Sequence, residues 1–477
     1  MSAVEVAIIG GGSAGLAAAV ELAAHGVSLA LIDSYAQLGG HYFKQGPPEA
    51  AQPKTADDRQ GEFEELMGAL EAREVVTLSE TSVWAMFPNG EGMGFTLHLS
   101  GPHEIERLQA HYVVAAPGAY DRPLAIPGWQ LPGVMTLGGA QMLLKGHGIR
   151  PGQRALVAGS GPLLLATAAS LAEAGTEVAA VLDLASGWDG LRKAPQAFWG
   201  QFARLKDVWH YGSACLKYGI PIRFGQTIFQ AMGEAAVTAA AYGRVDAQWR
   251  PRLDTAQTVE VDTLCVALGF LPNLALTRHL GCAHTYDPDV DAFYPQHDAA
   301  METTVPGVYV AGDVTGIGGK ALSKLQGQVA ALGILQKLQY LTPSNAEAQL
   351  ASLRRNIRAE QRFMAMLRDR MRIRPGLQQL IEPDTIVCRC EMVAAHQIHT
   401  AIREGARDLK GVKLRTRCGM GACQGRYCEP HVRQLVAAAT CTTPDKVGHM
   451  AVRPPLLPLP ISELLKTSES RRHTERL

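Results

Sequence analysis

The chain has 477 residues, 47% hydrophobic and 19% charged, with Lys plus Arg and Asp plus Glu equal at 45 each, so its formal net charge is zero. That length suits two or three domains with sizeable cores, and the charge balance argues against nucleic acid, which would favour a basic face. No apolar run reaches the roughly 18–20 residues of a membrane span, and no basic region precedes the first apolar stretch as in a signal peptide. Nine cysteines in a long chain favour free thiols and metal ligands over disulfides, so a reducing cytoplasm is the expected compartment.

Val4 to Ile9 is apolar and largely β-branched, as in a buried parallel strand. Gly10, Gly12 and Gly15 follow at G-x-G-x-x-G spacing, with Ser13 and Ala14 between them. An alanine- and leucine-rich helix, Leu16 to His25, leads to a second strand that ends at Asp33. In this pattern the first glycine allows a tight turn, the second admits a pyrophosphate and the third lets helix and strand pack. The helix N-terminus favours phosphate, and Asp33 can accept from ribose hydroxyls. These residues therefore predict a dinucleotide site.

A second such unit begins at the strand Arg154 to Ala158, with Gly159 and Gly161 at the first two positions and Leu164 at the third. Its next strand, Glu177 to Leu182, ends near Asp183. Each unit is followed by a β-rich stretch and an apolar strand ending in glycine, at Ala116-Pro117-Gly118 and at Gly269. The architecture is thus repeated. A last strand from Val308 ends in Gly312-Asp313 before a helical segment, Ala321 to Gln339. An acid there lies where ligands bind in such sheets, or else caps the helix. Lys320 reads as a loop lysine near a phosphate or in solvent, and Arg122 and Arg223 are carboxylate anchors by type only. Ser344 to Arg372 is expected to form linking helices with a solvated charged face, and the polar end, Ser468 to Leu477, to be disordered.

The tail concentrates cysteine: Cys388-Arg389-Cys390, then Cys418, Cys423 and Cys428 in a glycine-rich stretch. Paired thiolates can converge on one metal centre, and four suit an iron–sulfur cluster. Helical spacing runs from Val393 to Glu404, closed by Gly405. Cys215, Cys265, Cys282 and Cys441 show no metal spacing.

The order of first glycine loop, Ala116-Pro117-Gly118, second glycine loop and Gly312-Asp313 resembles the two-dinucleotide-binding-domain flavoproteins, which include glutathione and thioredoxin reductases. That resemblance covers residues 1 to about 340 and implies FAD in the first fold, with Asp313 against the flavin's ribityl chain. In the family the second fold binds NAD(P)H. Two departures count: no C-x-x-C precedes residue 388, so the redox disulfide is absent, and Leu164 replaces a packing glycine. From residue 384 onward, C-x-C followed by G-M-G-x-C-Q-G-x-x-C resembles the bacterioferritin-associated-ferredoxin-like [2Fe-2S] domain. It implies Cys388, Cys390, Cys423 and Cys428 as ligands, with Cys418 a fifth thiol nearby. A four-cysteine zinc site is the structural alternative.

Together with Gly39-Gly40-His41-Tyr42, Gly133-Val134-Met135-Thr136, Gly316 to Gly319 and the tail Val452 to Leu456, these modules resemble one group nearly end to end. It is the α subunits of heteromeric FAD-dependent amine and amino-acid dehydrogenases, which include the A subunit of opine oxidase and the B subunit of hydrogen cyanide synthase. The expected fold class is α/β: two Rossmann-like dinucleotide-binding domains plus a small, mainly helical [2Fe-2S] domain. Expected boundaries are 1–125 and 271–340 for the FAD-binding domain, 126–270 for the second Rossmann-like domain, 341–383 for a linker, 384–445 for the cluster domain and 446–477 for a tail. The first site is expected to use Gly10, Gly12, Ser13, Ala14, Gly15, Asp33, Gly39, Gly40, Ala116, Pro117, Gly118, Gly312 and Asp313. A second nucleotide site would use Gly159, Gly161 and Asp183.

The resemblance further implies a β subunit whose own flavin oxidises a C–N bond, an FMN between subunits in related complexes, and an acceptor such as a quinone; a small γ subunit is left open. No histidine pairs with an acid or cysteine at a catalytic spacing, which agrees with an electron-relay role. The alternatives are a self-contained NAD(P)H-dependent reductase and a structural subunit with a non-redox nucleotide.

Overall fold

The structure, a computed structural model, describes residues 2–44, 57–73, 75–90, 94–186 and 211–465. The terminal stretch expected to be disordered, Ser468 to Leu477, lies outside these residues. The strand Ser2–Ile9 runs parallel between Leu29–Ile32 and Arg107–Ala115, with Ile8 opposite Leu31 on one side and Val114 on the other. Val76–Leu78 extends the parallel sheet at one edge. Arg107–Ala115 is shared: its C-terminal half pairs with Val308–Val310, and its N-terminal half pairs antiparallel with Phe95–Ser100, which pairs in turn with Ser82–Pro88. Both faces of the parallel strands are covered, so Val6, Ala7 and Ile8 are all buried and the sequence there reads as a continuous apolar run.

The helix Ser13–Ala24 packs against this sheet and against the helix Gly319–Lys337, in one shared core. Its Leu16 and Leu22 are fully buried, each contributing about 1.5–3 kcal/mol of transfer free energy.

The second unit repeats the plan. Arg154–Gly159 lies parallel between Glu177–Asp183 and Thr263–Ala267, with Val157 opposite Val181 and Cys265. Ile222–Phe224 and Val134–Met135 form the edges. The repeat extends to backbone contacts. A Cβ on Gly10 would lie 2.2 Å from the Ala116 carbonyl oxygen, and one on Gly159 would lie 1.8 Å from that of Ala267. Glycine is required at both because the loop passes directly over the neighbouring strand's end. Beyond Gly118 and Gly269 the chain enters Ala119–Asp121 and Phe270–Pro272, which pair antiparallel and join the two units.

The linking segment is one helix, Pro343–Met371, rather than several. Thr342 caps it, its hydroxyl accepting from the Asn345 amide. In the tail, Val393 and Ala394 do not open the helix; they pair with Ile386–Cys388, and the helix is Ala395–Arg403. Helices Leu409–Thr416 and Glu429–Ala439 complete a separate core around Val387, Ile398, Val412, Val432 and Val436. Among the described residues no helix is long and apolar enough to cross a membrane.

Candidate functional site

The residues expected at the first nucleotide site converge. The Gly39 amide donates to the Gly11 carbonyl at 2.7 Å, and the Ala116 amide to that of Ile9 at 2.8 Å. The Cα of Gly40 lies against Gly12, and Gly312 against Ala14. Asp33, 7% exposed, accepts from the Gly11 amide at 2.6 Å and the Tyr35 amide at 2.8 Å. It therefore shapes the loop, and its remaining lone pairs can take ribose hydroxyls. Asp313 accepts from the Gly318 and Gly319 amides at 3.1 and 3.3 Å, where helix Gly319–Lys337 begins. Burial pushes its carboxyl above the usual range. Of the two roles expected for it, engagement of the helix N-terminus is the one these bonds show. Lys320 is a helix residue rather than a loop one, and it is ion-paired to Glu62, as is Lys324 at 3.1 Å.

At the second glycine loop a part of the chain itself is in the way. The end of helix Pro343–Met371 lies on it. A Cβ on Gly161 would meet the Met371 sulfur at 2.7 Å, and the Ser160 hydroxyl donates to the Arg370 carbonyl at 3.3 Å. Asp183, the acid expected to hold ribose, is ion-paired to the Arg370 guanidinium at 2.6 Å. The linker's charges do not all face solvent as their pattern predicts. Arg370, and Arg368 on Asp287 at 3.4 Å, bind the two folds instead. Sequence spacing could not reveal this, because Ser160, Gly161 and Asp183 are far from the plug in the chain.

In the tail, five thiols gather. Strand Ile386–Cys388 delivers Cys388, and Cys428 sits at the mouth of helix Glu429–Ala439. The sulfurs of Cys388, Cys418 and Cys428 all lie within 4.8 Å of one another and are buried. Cys390 and Cys423 share a second hydrogen bond nearer the surface. Hydrogen bonds from the Cys418 and Cys428 thiols, helped by the Gly419 and Glu391 amides, pull the Cys388 thiol down to about 2. The same bonds to Cys388 push Cys418 and Cys428 up. Within the set implied by resemblance the sulfurs fall into two pairs, Cys388 with Cys428 and Cys390 with Cys423. A [2Fe-2S] cluster takes two cysteines per iron, so this donor set fits it. Cys215, Cys265 and Cys282 are buried and Cys441 is exposed, none in a thiol cluster among the described residues.

The cluster domain is bolted to the nucleotide fold by buried charge. Arg278 grips Glu429, next to Cys428, through two bonds of 3.1 and 3.0 Å. Arg433 spans Glu429 at 3.3 Å and Asp291 at 3.2 Å, and Arg122 reaches Asp291 at 3.4 Å. Burial alone would raise both carboxyls; the arginines overcome it and hold them below the usual range. Tyr120, just beyond Gly118, meets Tyr427 edge-on at 6.1 Å, so the cluster loop lies beside the first nucleotide site. The tail Val452 to Leu456 closes over the same loop: Gln424 donates to the Pro455 carbonyl and Arg426 to that of Leu456. Arg122 also lines a cavity of about 750 Å³ between the folds, but its guanidinium is engaged by Val290 and Asp291. Arg223 bonds the Tyr242 hydroxyl at 2.7 Å. Neither is placed as an open carboxylate anchor. Sequence reasoning misses the ion network; its one signal there is the acid directly after Cys428.

Residues 4–332 match the pyridine nucleotide-disulphide oxidoreductase family, and residues 386–438 the BFD-like [2Fe-2S] binding domain. The chain is 32% identical over 471 residues to the HcnB subunit of hydrogen cyanide synthase from Pseudomonas aeruginosa, covering 95% of this chain and 97% of that one. It is 31% identical over 486 residues to the A subunit of opine oxidase from Rhizobium meliloti, covering 97% and 99%. L-proline dehydrogenase from P. horikoshii superposes with a TM-score of 0.69 over 97% of this chain and 79% of that one, at 22% identity, and so shares the fold. The cofactors these matches indicate, FAD and a [2Fe-2S] cluster, are those the two sites suit. The chain therefore belongs to the pyridine nucleotide-disulphide oxidoreductase family, as a flavin oxidoreductase with a BFD-like [2Fe-2S] domain, in the group of HcnB and the opine oxidase A subunits.

Proposed function

We propose that the chain is the electron-transfer α subunit of a heteromeric flavin-dependent dehydrogenase that oxidises the C–N bond of a secondary amine or amino acid, such as an opine or hydroxyproline. In this reading a β subunit with a second flavin takes hydride from the substrate, and the imine hydrolyses. The α subunit passes the electrons to an acceptor such as a quinone. A [2Fe-2S] centre supplies one-electron steps after two-electron flavin chemistry. The chain's own residues do three things. Asp33, the Gly10–Gly15 loop and Asp313 hold the nucleotide; Cys388, Cys390, Cys423 and Cys428 hold the cluster; and the Arg278–Glu429 clamp keeps the two adjacent.

The observation that carries this reading is the placement of the cluster loop against the first nucleotide site, with Tyr427 on Tyr120. The covered second loop supports a relay over an NAD(P)H-driven reductase, since Met371 lies on Gly161 and Arg370 on Asp183, the residues such a nucleotide site would use. The test is co-purification with the partner subunit under anaerobic conditions, followed by a screen of secondary amines with a quinone acceptor. Substrate-dependent acceptor reduction that is lost in Cys423→Ser supports the relay. Full acceptor reduction by a cluster-free Cys423→Ser complex would contradict it. Rapid flavin bleaching of the isolated chain by NADH or NADPH would favour the reductase.

A further inference from the structure

The cavity of about 750 Å³ lies where the nucleotide folds, the segment after helix Pro343–Met371 and the cluster domain meet. That volume falls in the roughly 300–1,000 Å³ range of sites for small organic ligands. Leu124, Leu268, Phe293 and Leu377 are buried in its floor. Pro288, Pro375, Thr443 and Asp445 are exposed and form the rim. Pro430 is also buried in the wall, two residues beyond Cys428, with His431 beside it. Both belong to the first turn of helix Glu429–Ala439, so this wall stands about 5 Å along the helix axis from a cluster ligand.

The polar groups of the lining are engaged with one another. Asp291 takes Arg122 at 3.4 Å and the Tyr286 hydroxyl at 2.8 Å, and Gln378 donates to Gln434 at 2.8 Å. Arg374 donates to the Ala247 carbonyl and lies over the Trp249 ring. An anion would therefore meet Asp445 at the rim and an already paired Arg122 on the floor. His431 differs: its Nε2 is buried with no hydrogen-bond partner among the described residues. Burial pushes this imidazole down to about 4, so it is neutral. An apolar, uncharged cavity with one unpartnered nitrogen suits an uncharged ring that carries oxygens.

We propose that this cavity is where the electron acceptor is reduced, and that the acceptor is a quinone, with an oxygen of its ring bonded to His431. This rests on the relay reading above. Each quinone takes two electrons and two protons and leaves as hydroquinone. The cluster supplies the electrons one at a time, returning to its oxidised form each time, and is re-reduced by flavin between the two transfers. The protons come from water through the open rim.

The test uses the full-length chain, purified anaerobically, as wild type, Pro375→Trp and His431→Leu. The first variant sets a bulky ring at the exposed rim, and the second removes the unpartnered nitrogen. A short-chain benzoquinone is titrated by calorimetry, then mixed with dithionite-reduced protein while cluster absorbance is followed. Ferricyanide, an anion, is the comparison acceptor. Wild type is expected to bind the quinone and to be reoxidised at a rate that saturates with it. In both variants the quinone Kd is expected to rise about tenfold or more and quinone reoxidation to slow, while ferricyanide reacts at the wild-type rate. Variants that bind quinone as tightly as wild type overturn the proposal, and so does displacement of the quinone by FMN, which would make the cavity a flavin site. If Pro375→Trp does not fold, His431→Leu decides. Iron-free wild-type protein would sink the cluster reading itself, whereas an intact cluster in wild-type protein that binds no quinone sinks this proposal alone.

Discussion

Glu429→Gln tests whether buried charge holds the cluster domain in place. The native carboxylate accepts two bonds from Arg278, one from Arg433 at 3.3 Å and one from the Met450 amide at 3.2 Å. The side chains of Glu429, Arg278 and Arg433 are only 11%, 12% and 2% exposed. In the wild type Arg122, Arg278 and Arg433 face Asp291 and Glu429, three cations against two anions. The substitution leaves three against one. Stranding a buried partner costs about 3–5 kcal/mol, a large part of the roughly 5–15 kcal/mol that holds a domain folded. Arg433→Met instead leaves two cations against two anions, each acid keeping its own arginine, so its cost should be smaller, about 1–3 kcal/mol. Urea unfolding followed by circular dichroism gives the global value, and visible absorbance reports the cluster domain. The reasoning fails if Glu429→Gln lies within about 1 kcal/mol of wild type, or if Arg433→Met costs more.

Stability should also fall as pH drops from about 6.5 towards 4. Burial, as the leading cause, pushes His284 and His431 down to about 4. In that window the unfolded chain takes up protons that the folded one refuses, so the unfolded state gains; a flat urea midpoint from pH 7 to 4.5 would contradict this. Cys428→Ser is expected to abolish cluster absorbance, and iron analysis at the wild-type value would count against Cys428 as a ligand. Wild-type protein should show no NADH binding by calorimetry, whereas Arg370→Ala combined with Met371→Ala should uncover the second loop and permit it. Tight NADH binding to the wild type would show that the helix end is displaced by ligand. Removing residues 452–465 deletes the Leu456 amide bond to the Trp84 carbonyl, 2.8 Å, and the two bonds that cover the cluster loop. Faster iron loss to a chelator is the expected result.

The two Rossmann-like units, the first nucleotide loop and the tail cysteines were legible because each is local. A buried parallel strand must be apolar, a turn over a neighbouring strand must be glycine, and thiol ligands come in short spacings. Gly10, Asp33, Gly159 and Cys388 therefore announce themselves within a few residues of chain. What lay beyond the sequence depends on contacts between distant segments. Arg370 and Met371 read as the end of a charged linker helix, and only packing brings them onto Gly161 and Asp183. Glu429, Arg278, Arg433, Asp291 and Arg122 come from separate elements, and nothing in any one of them foretells the others. Cys418 reads as a fifth thiol near the ligand set with its part left open, and only folding brings it to Cys388 and Cys428. Local backbone and ligand chemistry was written in the residues themselves; which parts face one another was decided by the burial of charge and apolar surface between them.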